Sequence, residues 1–309
     1  MSGTWCPAHA PGPASPPSPW AAEIGCPARC ATDPDPRVPL AELARRYAAL
    51  TGVLPRSFAR GDRLADPRIL RSQARAVLGA LGVRLEAGPG GVGRLSAREG
   101  GVGTLVVANH ISWLDVVALL AVEPVHVLAK REVGRWPVVG ALARRAGTRF
   151  IDREGSPRQL PSSVAELARD LRDGTSLLVF PQATTWCAAG GGRFRRAVFQ
   201  AAVDAGAPVR PVTIEYRQRG AASTAAAFLG DEDFTVSLRR VAAARGLTAR
   251  ITVHDPLLGA DRRALADAAR AAVTGAAVTR AAAVGRDTVR GAGPRRPVGH
   301  RPLPARPLP

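Results

Sequence analysis

The sequence predicts an α/β protein with a mainly parallel sheet, crossover helices on both faces, preceding amphipathic helices and flanking disordered tails. The prediction depends on the middle of the 309-residue chain, where apolar segments of strand length alternate with segments of helix length. Glycines stand where three of these helices should stop, at Gly147, Gly174 and Gly206. Strands this apolar are buried on both faces, as they are when crossover helices join parallel strands.

The elements follow each other with short connections, although the alternation is less regular beyond Tyr216. Ser163 and Glu166 have the spacing of a helix capping box. Predicted strands are residues 104–108, 125–129, 148–151, 176–180, 209–216 and 248–254, and predicted helices are 112–122, 137–146, 163–172, 194–205 and 261–273.

The regions outside this pattern differ in composition. Residues 1–38 are crowded with Pro, Ala, Ser and Gly, and residues 276–309 form a basic Pro/Arg-rich tail, so both are predicted to be disordered. Residues 39–99 are predicted as an amphipathic helical segment that could contact a membrane surface or pack on the domain. Arginines interrupt its two helical stretches, 40–54 and 69–85, so neither has the roughly 20 apolar residues of a spanning helix. Nor do residues 1–20 have the basic start and apolar core of a secretion signal.

The charge balance is strongly basic, with 43 Lys and Arg against 25 Asp and Glu and a net charge of +18. Such a chain favours anionic partners, which include nucleic acid, acidic lipid headgroups and phosphorylated substrates. Aromatic residues make up only 5%, and neither zinc-finger spacing nor an RNA-recognition pattern is present. We therefore predict no nucleic-acid partner.

The four cysteines give no clear metal motif. Cys6 with His9, or Cys26 with Cys30, could ligate a metal in principle, but their surroundings are proline-rich and their spacing is loose. We therefore predict no metal site and reduced thiols at all four positions, which include Cys187.

A polar cluster interrupts apolar sequence between Asn109 and Asp115. His110 falls at a predicted strand-to-helix turn, and histidine is the side chain that gains and loses a proton most readily near neutral pH. Asp115 could orient its imidazole. Alternatively, Ser112 and Asp115 fit a capping box that satisfies backbone N–H groups of the helix. Both interpretations can hold together.

The predicted strand ends offer a test of this motif, because ligands of parallel α/β sheets bind beyond the carboxyl ends of the strands. One proton-transfer residue and two cations are expected at this edge. The successive ends carry His110, then Lys130, then Asp152 and Arg153, then Pro181 and Gln182.

Four sequence blocks resemble the phospholipid/glycerol acyltransferase family, in particular bacterial 1-acyl-sn-glycerol-3-phosphate acyltransferases (lysophosphatidic acid acyltransferases). Together they lie within residues 100–216, the motif-bearing part of a predicted acyltransferase domain over 100–275. The blocks are Asn109-His110 with Asp115 (H-x4-D), Lys130-Arg-Glu132 through Gly147-Thr-Arg-Phe150-Ile151-Asp152-Arg153, Phe180-Pro181-Gln182-Ala183-Thr184-Thr185, and Val209-Arg-Pro211-Val212.

The resemblance implies that an acyl group passes from a thioester, either acyl-CoA or acyl carrier protein, to the free hydroxyl of a lysophospholipid. The acceptor it favours is 1-acylglycerol-3-phosphate, which would give phosphatidic acid. His110 would take the hydroxyl proton and Asp115 would hold the imidazole, without an acyl-enzyme or any further cofactor. Peripheral attachment to the cytoplasmic face of the membrane is expected from the lipid substrate class, the helices before Gly100 and the basic tail. The oligomeric state stays open.

By the same resemblance, Lys130 and Arg153 would bind the substrate phosphate. Their alternative role is pairing with Glu132 or Asp152 at the surface. Other cations could come from beyond Gly190–Gly192, since a glycine-rich turn that enters a helix can bind phosphate, although these glycines could equally form a plain loop. The candidates there are Arg193, Arg195 and Arg196.

The third block departs from the family pattern Phe-Pro-Glu-Gly-Thr. Gln182 replaces a charged acceptor by an amide, and Ala183 fits only if the backbone there needs neither positive φ nor close substrate approach. Thr184 keeps the pattern, whereas Thr185 stands where many members have arginine. Gln182, Ala183 and Thr184 are predicted to bind substrate. The departures leave a second hypothesis, a catalytically impaired member of the fold that binds anionic lipid.

Overall fold

The computed structural model describes residues 26–89, 91, 93–97, 101–151 and 160–275. Within them the helices are α1 Leu40–Ala59, α2 Pro67–Ala80, α3 Leu114–Val122, α4 Pro137–Arg145, α5 Leu160–Arg172, α6 Ala197–Ala205, α7 Phe234–Ala243 and α8 Arg262–Thr274. The strands are β1 Arg84–Ala87, β2 Leu105–Ala108, β3 His126–Lys130, β4 Arg149–Ile151, β5 Leu177–Val179, β6 Val209–Gln218, β7 Ala221–Ala222 and β8 Thr248–Val253.

The strands form one mixed sheet in the order β1-β8-β6-β2-β5-β3-β4, and the short β7 pairs with β6. All neighbours from β6 to β4 are parallel. β8 and β7 pair antiparallel with β6, and β1 pairs parallel with β8 and therefore also runs opposite to β6. The prediction of a mainly parallel sheet is confirmed, and it places the carboxyl ends of β2, β5, β3 and β4 at one edge.

Helices cover both faces of the sheet, as predicted. The fully buried strand β2 shows this division, because its alternate side chains enter different cores. Val106 and Ala108 pack in the core that includes α1, α2, α3 and α7. Leu105 and Val107 pack in the core that includes α5, α6 and α8. Each fully buried Leu or Val contributes roughly 1.5–3 kcal/mol, so both faces of this strand stabilise the site at its end.

The predicted helix over residues 69–85 is wrong at its end. The helix α2 stops at Ala80, Gly82 turns the chain with φ 68°, and β1 follows as an edge strand paired with β8. Leu81 and Val83 are both buried, so apolar sequence continues through the turn and hides it. At α1 the difference is the reverse, since the helix continues through Pro55 to Ala59 instead of stopping before the proline.

The prediction of disorder over residues 1–38 is wrong for the part that the structure describes. Residues 26–38 lie against the domain, and Val38 N–H donates to the Ala243 carbonyl at 2.9 Å. Pro36 accepts from Arg245 N–H at 2.9 Å, and Arg37 bridges to Ala244. These backbone bonds to the end of α7 do not depend on side-chain composition, which is why composition did not predict them. Residues 1–25 and the predicted tail 276–309 lie outside the described residues.

Helix α7 was not predicted. Asp233 caps its first turn by accepting from Thr235 N–H at 2.7 Å, and Val241 and Ala242 are fully buried on its inner face. Among the described helices, none combines the length and the apolar character needed to cross a bilayer.

Candidate active site

A buried amide fixes the end of the strand that carries the predicted catalytic histidine. Asn109 is fully buried directly after β2. Its side-chain nitrogen donates to the Ile214 carbonyl at 2.9 Å, and its side-chain oxygen accepts from Ile214 N–H at 2.8 Å. Because the amide bonds β6 in both directions, the chain leaves the sheet at His110 in a fixed direction.

The carboxylate of Asp115 is the centre of the site. It is fully buried at the start of α3, and its Oδ2 lies 2.8 Å from Nδ1 of His110. The same oxygen accepts from the N–H groups of Ile111 at 2.7 Å and Ser112 at 2.9 Å. The other oxygen, Oδ1, accepts from the hydroxyl of Tyr216 at 2.7 Å. Four donors around one buried carboxyl group suit an ionised acceptor.

The capping interpretation also holds. Asp115 accepts from Ser112 N–H, as in a capping box, while the Ser112 hydroxyl accepts from Leu114 N–H at 3.2 Å. The same carboxylate therefore caps the helix and contacts the imidazole.

Tyr216 is a site residue that the sequence did not predict. It lies on β6, fully shielded from solvent, and burial raises its pKa well above 10, with the neighbouring Asp115 charge and hydrogen bond adding to the shift. The phenol therefore stays protonated and remains a donor. Its sequence distance of 101 residues from Asp115 leaves no local signal, and only the parallel pairing of β2 with β6 brings the two together.

The imidazole of His110 is held on its face as well as at Nδ1. It stacks on the Phe180 ring with a centroid distance of 4.0 Å and an interplanar angle of 18°. About a fifth of the side chain (21%) remains exposed. Since the Asp115 carboxylate requires Nδ1–H as its donor, the lone pair lies on Nε2, and this nitrogen can take a proton from a substrate.

Gln182 contributes to the backbone of the same turn. Its side-chain oxygen accepts from His110 N–H at 2.7 Å, and its side-chain nitrogen donates to the Gly191 carbonyl. The His110 carbonyl in turn accepts from Trp186 N–H at 2.8 Å. The amide thus uses both its donor and its acceptor, and a glutamate at position 182 would lack the donor that Gly191 accepts.

Ala183 adopts a left-handed backbone conformation that glycine adopts more easily than alanine. Its φ is 64°, and the residue is buried. A left-handed conformation costs an alanine about 1–2 kcal/mol more than a glycine. The condition set from the sequence, that Ala183 fits only without positive φ, is therefore not met, and the chain carries this strain beside Gln182.

Gly191 and Gly192 make room for the Trp186 ring rather than opening a helix. A Cβ on Gly191 or Gly192 would lie within 2.6 Å of Trp186 ring atoms. The helix α6 begins only at Ala197, so the glycines are not at its N-terminus. Their close contact with Trp186 keeps the Gly191 carbonyl in reach of Gln182.

Some of the predicted phosphate-binding cations lie within the described residues and others do not. Lys130 is exposed at the carboxyl end of β3, two strands from β2, which is roughly 10 Å at ordinary strand spacing. Arg193 is exposed on the loop after the glycines, and Thr184 is half-buried beside Ala183. Arg153 and Asp152 lie outside the described residues, so their predicted roles stay predictions.

Three of the four cysteines come together next to this site. The Sγ atoms of Cys26, Cys30 and Cys187 all lie within 4.8 Å of one another. Sequence spacing predicted no metal site, because it could not place Cys187 beside the other two.

Comparison with known proteins identifies similar chains. The profile of the family described as "Acyltransferase" matches residues 93–215. The chain is 38% identical over 196 residues to a 1-acyl-sn-glycerol-3-phosphate acyltransferase of Neisseria meningitidis serogroup B, covering 62% of this chain and 74% of that protein. It is also 38% identical over 171 residues to a lyso-ornithine lipid O-acyltransferase of Pseudomonas aeruginosa, covering 55% of this chain and 66% of that protein.

A solved structure shares the fold. The 1-acyl-sn-glycerophosphate (LPA) acyltransferase of Thermotoga maritima superposes with a TM-score of 0.53 at 18% identity, covering 83% of this chain and 98% of that one. At this identity the likeness concerns the fold alone.

Proposed function

The chain belongs to the acyltransferase family, and we propose that it moves a fatty acyl group from a thioester to the free hydroxyl of a lysophospholipid. The acceptor we propose is 1-acylglycerol-3-phosphate, with phosphatidic acid as product, and the donor is acyl-CoA or acyl carrier protein. The observation that carries the proposal is the 2.8 Å contact between His110 Nδ1 and the buried Asp115 carboxylate at the carboxyl edge of the sheet.

The proposed reaction is a single acyl transfer. Nε2 of His110 takes the proton of the acceptor hydroxyl as its oxygen attacks the thioester carbonyl carbon. The new C–O bond forms, the C–S bond breaks, and the sulfur leaves as a thiolate that takes up the proton from the imidazolium. A thiolate is a good leaving group near neutral pH, so neither a nucleophilic serine nor a dedicated acid is required. Asp115 orients the imidazole and stabilises its protonated form.

The direct test is acylation of lysophosphatidate by the purified protein with acyl-CoA or acyl carrier protein as donor. His110→Ala should lower turnover by at least about 100-fold, the usual contribution of a positioned base. His126→Ala is the matched control, because His126 is exposed at the amino end of β3, away from the proposed site. If His110→Ala acylates as fast as wild type, the proposed mechanism is wrong.

Phosphate binding is proposed for Lys130, together with Arg153 and Arg193. Lys130 is the only lysine in the chain, so one substitution removes every lysine charge. We expect Lys130→Met to raise KM for lysophosphatidate about tenfold with little change in kcat, as loss of one charge-assisted contact would do. Arg169→Met removes an equal charge from the end of α5, before β5 and so at the other edge of the sheet, and should change neither constant.

A second acceptor is supported by the equal identity to a lyso-ornithine lipid O-acyltransferase. Ornithine carries an amine and a carboxylate but no phosphate, so this headgroup would offer the proposed cations a carboxylate in place of a phosphate. Assaying both acceptors side by side decides between them. Turnover of the lyso-ornithine lipid with none of lysophosphatidate would replace the proposed acceptor and retain the proposed chemistry.

The impaired-enzyme hypothesis rests on Gln182 and Ala183. The hydrogen bonds of the Gln182 amide at both ends argue against it, because the substituted residue still holds the His110 turn. We expect the wild-type protein to acylate its acceptor, and Gln182→Glu alone should not raise its turnover. Absence of turnover in wild type, with activity gained in Gln182→Glu/Ala183→Gly, would support the impaired enzyme instead.

Attachment to a membrane surface at the cytoplasmic face is proposed on the basis of the lipid substrate class and the basic charge of +18. The segment 39–99 is not a detachable anchor, because Leu50, Leu70 and Leu78 are buried in the main core. Its deletion would therefore unfold the domain, and point substitutions on the surface are the proper test.

A further inference from the structure

Three cysteine side chains from two distant parts of the chain converge outside the proposed catalytic site. Cys26 lies just before a single 3-10 turn, and Cys30 is the last residue of that turn. Within it, Cys30 N–H donates to the Pro27 carbonyl at 2.9 Å. Cys187 lies 161 residues after Cys26, in the loop that follows the third block. The turn and the loop meet with the Cys26 and Cys187 sulfurs 3.1 Å apart.

The sulfur geometry suits a single ion. Sulfurs bound to tetrahedral zinc at about 2.3 Å lie roughly 3.8 Å from each other. The three sulfurs here lie within 4.8 Å of one another, so small side-chain rotations would bring them to that spacing. A disulfide would use only two of the three, whereas an ion uses all of them.

The surroundings of the three sulfurs resemble those of a structural metal site. Cys187 N–H donates to the Cys26 sulfur at 3.4 Å, and backbone donors of this kind stabilise metal-bound sulfur. Cys187 is buried, and Cys26 and Cys30 are half-buried against the main core. Water is therefore largely kept from the cluster, as in structural metal sites.

We propose that Cys26, Cys30 and Cys187 bind a zinc ion and that this ion fastens the N-terminal segment to the loop beside the catalytic turn. Thiolate ligands select soft or borderline ions, and three thiolates with a fourth ligand, a side chain or a water molecule, form a common zinc set. The three thiols release their protons to solvent on binding.

The ion would act on the site through one short connection. Trp186, the residue before Cys187, donates its N–H to the His110 carbonyl. The ion would thus restrain the loop that contains Trp186, and Trp186 holds the His110 turn. The ion would also raise stability, because it binds the folded chain, in which Cys26 and Cys187 meet, more tightly than the unfolded chain.

The test measures metal in the full chain, purified under reducing conditions without chelator. We expect about one zinc per chain by mass spectrometry of the elements, and cobalt loaded in its place should show thiolate-to-cobalt absorption. Cys26→Ser and Cys187→Ser should each lose the metal. Chelator should lower the Tm of wild type and leave the Tm of both variants unchanged.

A matched control keeps the sulfurs and removes another contact of the same segment. The Thr224 hydroxyl lies 2.8 Å from the Thr32 hydroxyl and accepts from Thr32 N–H at 3.1 Å. Thr224→Ala should keep the zinc. The proposal is overturned if wild type loaded with zinc retains none after desalting, or if both cysteine variants retain it. Iron or copper in place of zinc, or a Cys26–Cys187 disulfide in metal-free protein, would also overturn it.

Discussion

At the proposed base, one side chain holds the histidine directly and a second acts through the first. Asp115 contacts the imidazole, while Tyr216 donates to the carboxylate oxygen that the imidazole does not use. Burial and the Asp115 charge raise the pKa of the phenol well above its usual value, which keeps the phenol protonated as a donor near neutral pH. Tyr216 is therefore a positioning residue for the proposed reaction.

Tyr216→Phe should lower kcat about tenfold and leave KM nearly unchanged, because a hydrogen bond to a charged group contributes about 1.5–3 kcal/mol and only part of it reaches the imidazole. Steady-state acylation kinetics measure this. Tyr47→Phe, at the only other tyrosine of the chain, is the control and should leave kcat unchanged. Equal kcat in Tyr216→Phe and wild type would leave Tyr216 with a purely structural role.

The strain at Ala183 predicts a substitution that stabilises the protein. Ala183→Gly should raise the free energy of unfolding by about 1 kcal/mol, since relief of about 1–2 kcal/mol of left-handed strain exceeds the entropy that glycine adds to the unfolded chain. Urea unfolding followed by circular dichroism measures the change. Ala202→Gly, inside α6, should instead lose about 1 kcal/mol. If both variants lose stability alike, Ala183 is not strained.

At the level of elements, the sequence predicted what depends on local pattern and missed what depends on pairing. The five strands from β2 to β6 each contain a run of apolar or alternating residues, and all were predicted near their true positions. The turn at Gly82 was missed because apolar residues continue through it. The antiparallel direction of β8 was missed because strand direction leaves no trace in composition.

The residues of the candidate site also divide into those close in sequence, which could be predicted, and those far apart, which could not. The pair His110 and Asp115 is five residues apart, so sequence could propose it. Tyr216 and the convergence of Cys187 with Cys26 require contacts over more than 100 residues, which only the folded sheet provides. Position 183 is an intermediate case. The sequence shows that an alanine replaces glycine there, but only the folded backbone shows that its φ is positive.

A buried arginine connects three elements at the side of the sheet. From α1, Arg46 donates to the carbonyls of Leu81 after α2, of Ala242 in α7 and of Ala244 just after it, at 2.9–3.0 Å. Its Nε also donates to Glu42 at 3.0 Å. Burial, with Arg45 next to it, lowers the pKa of Arg46, yet its multiple acceptors keep the cation bound.

Arg46→Met should therefore reduce the free energy of unfolding by about 3 kcal/mol, because it leaves buried carbonyls without a donor. Arg45→Met is the matched control on the same helix. Its side chain is 77% exposed, so a change below about 0.5 kcal/mol is expected. Chemical unfolding of both variants gives the comparison, and similar losses in the two would show that the Arg46 contacts contribute little.

For the whole molecule, the parallel strands bring chemistry and an apolar surface to one edge. Val138 and Val236 are 46% and 54% exposed at the starts of α4 and α7. Trp136 and Phe234, each two residues before one of these valines, pack on each other at 5.8 Å. Phe234 also packs at 5.1 Å on Trp113, three residues after His110. A lipid surface that met this edge would present its acyl chains and headgroups beside the proposed base.

This arrangement predicts that the double variant Val138→Asp/Val236→Asp binds vesicles of phosphatidylcholine and phosphatidylglycerol about tenfold more weakly than wild type. Two partly exposed apolar side chains contribute roughly 1–2 kcal/mol when they enter the interface. Flotation measures binding, and acylation of detergent-dispersed lysophosphatidate should persist. Leu258→Asp is the control, since Leu258 is 68% exposed beside the amino end of β6, at the other edge. Equal loss in the control, or a wild type that never floats, would remove this edge as the membrane contact.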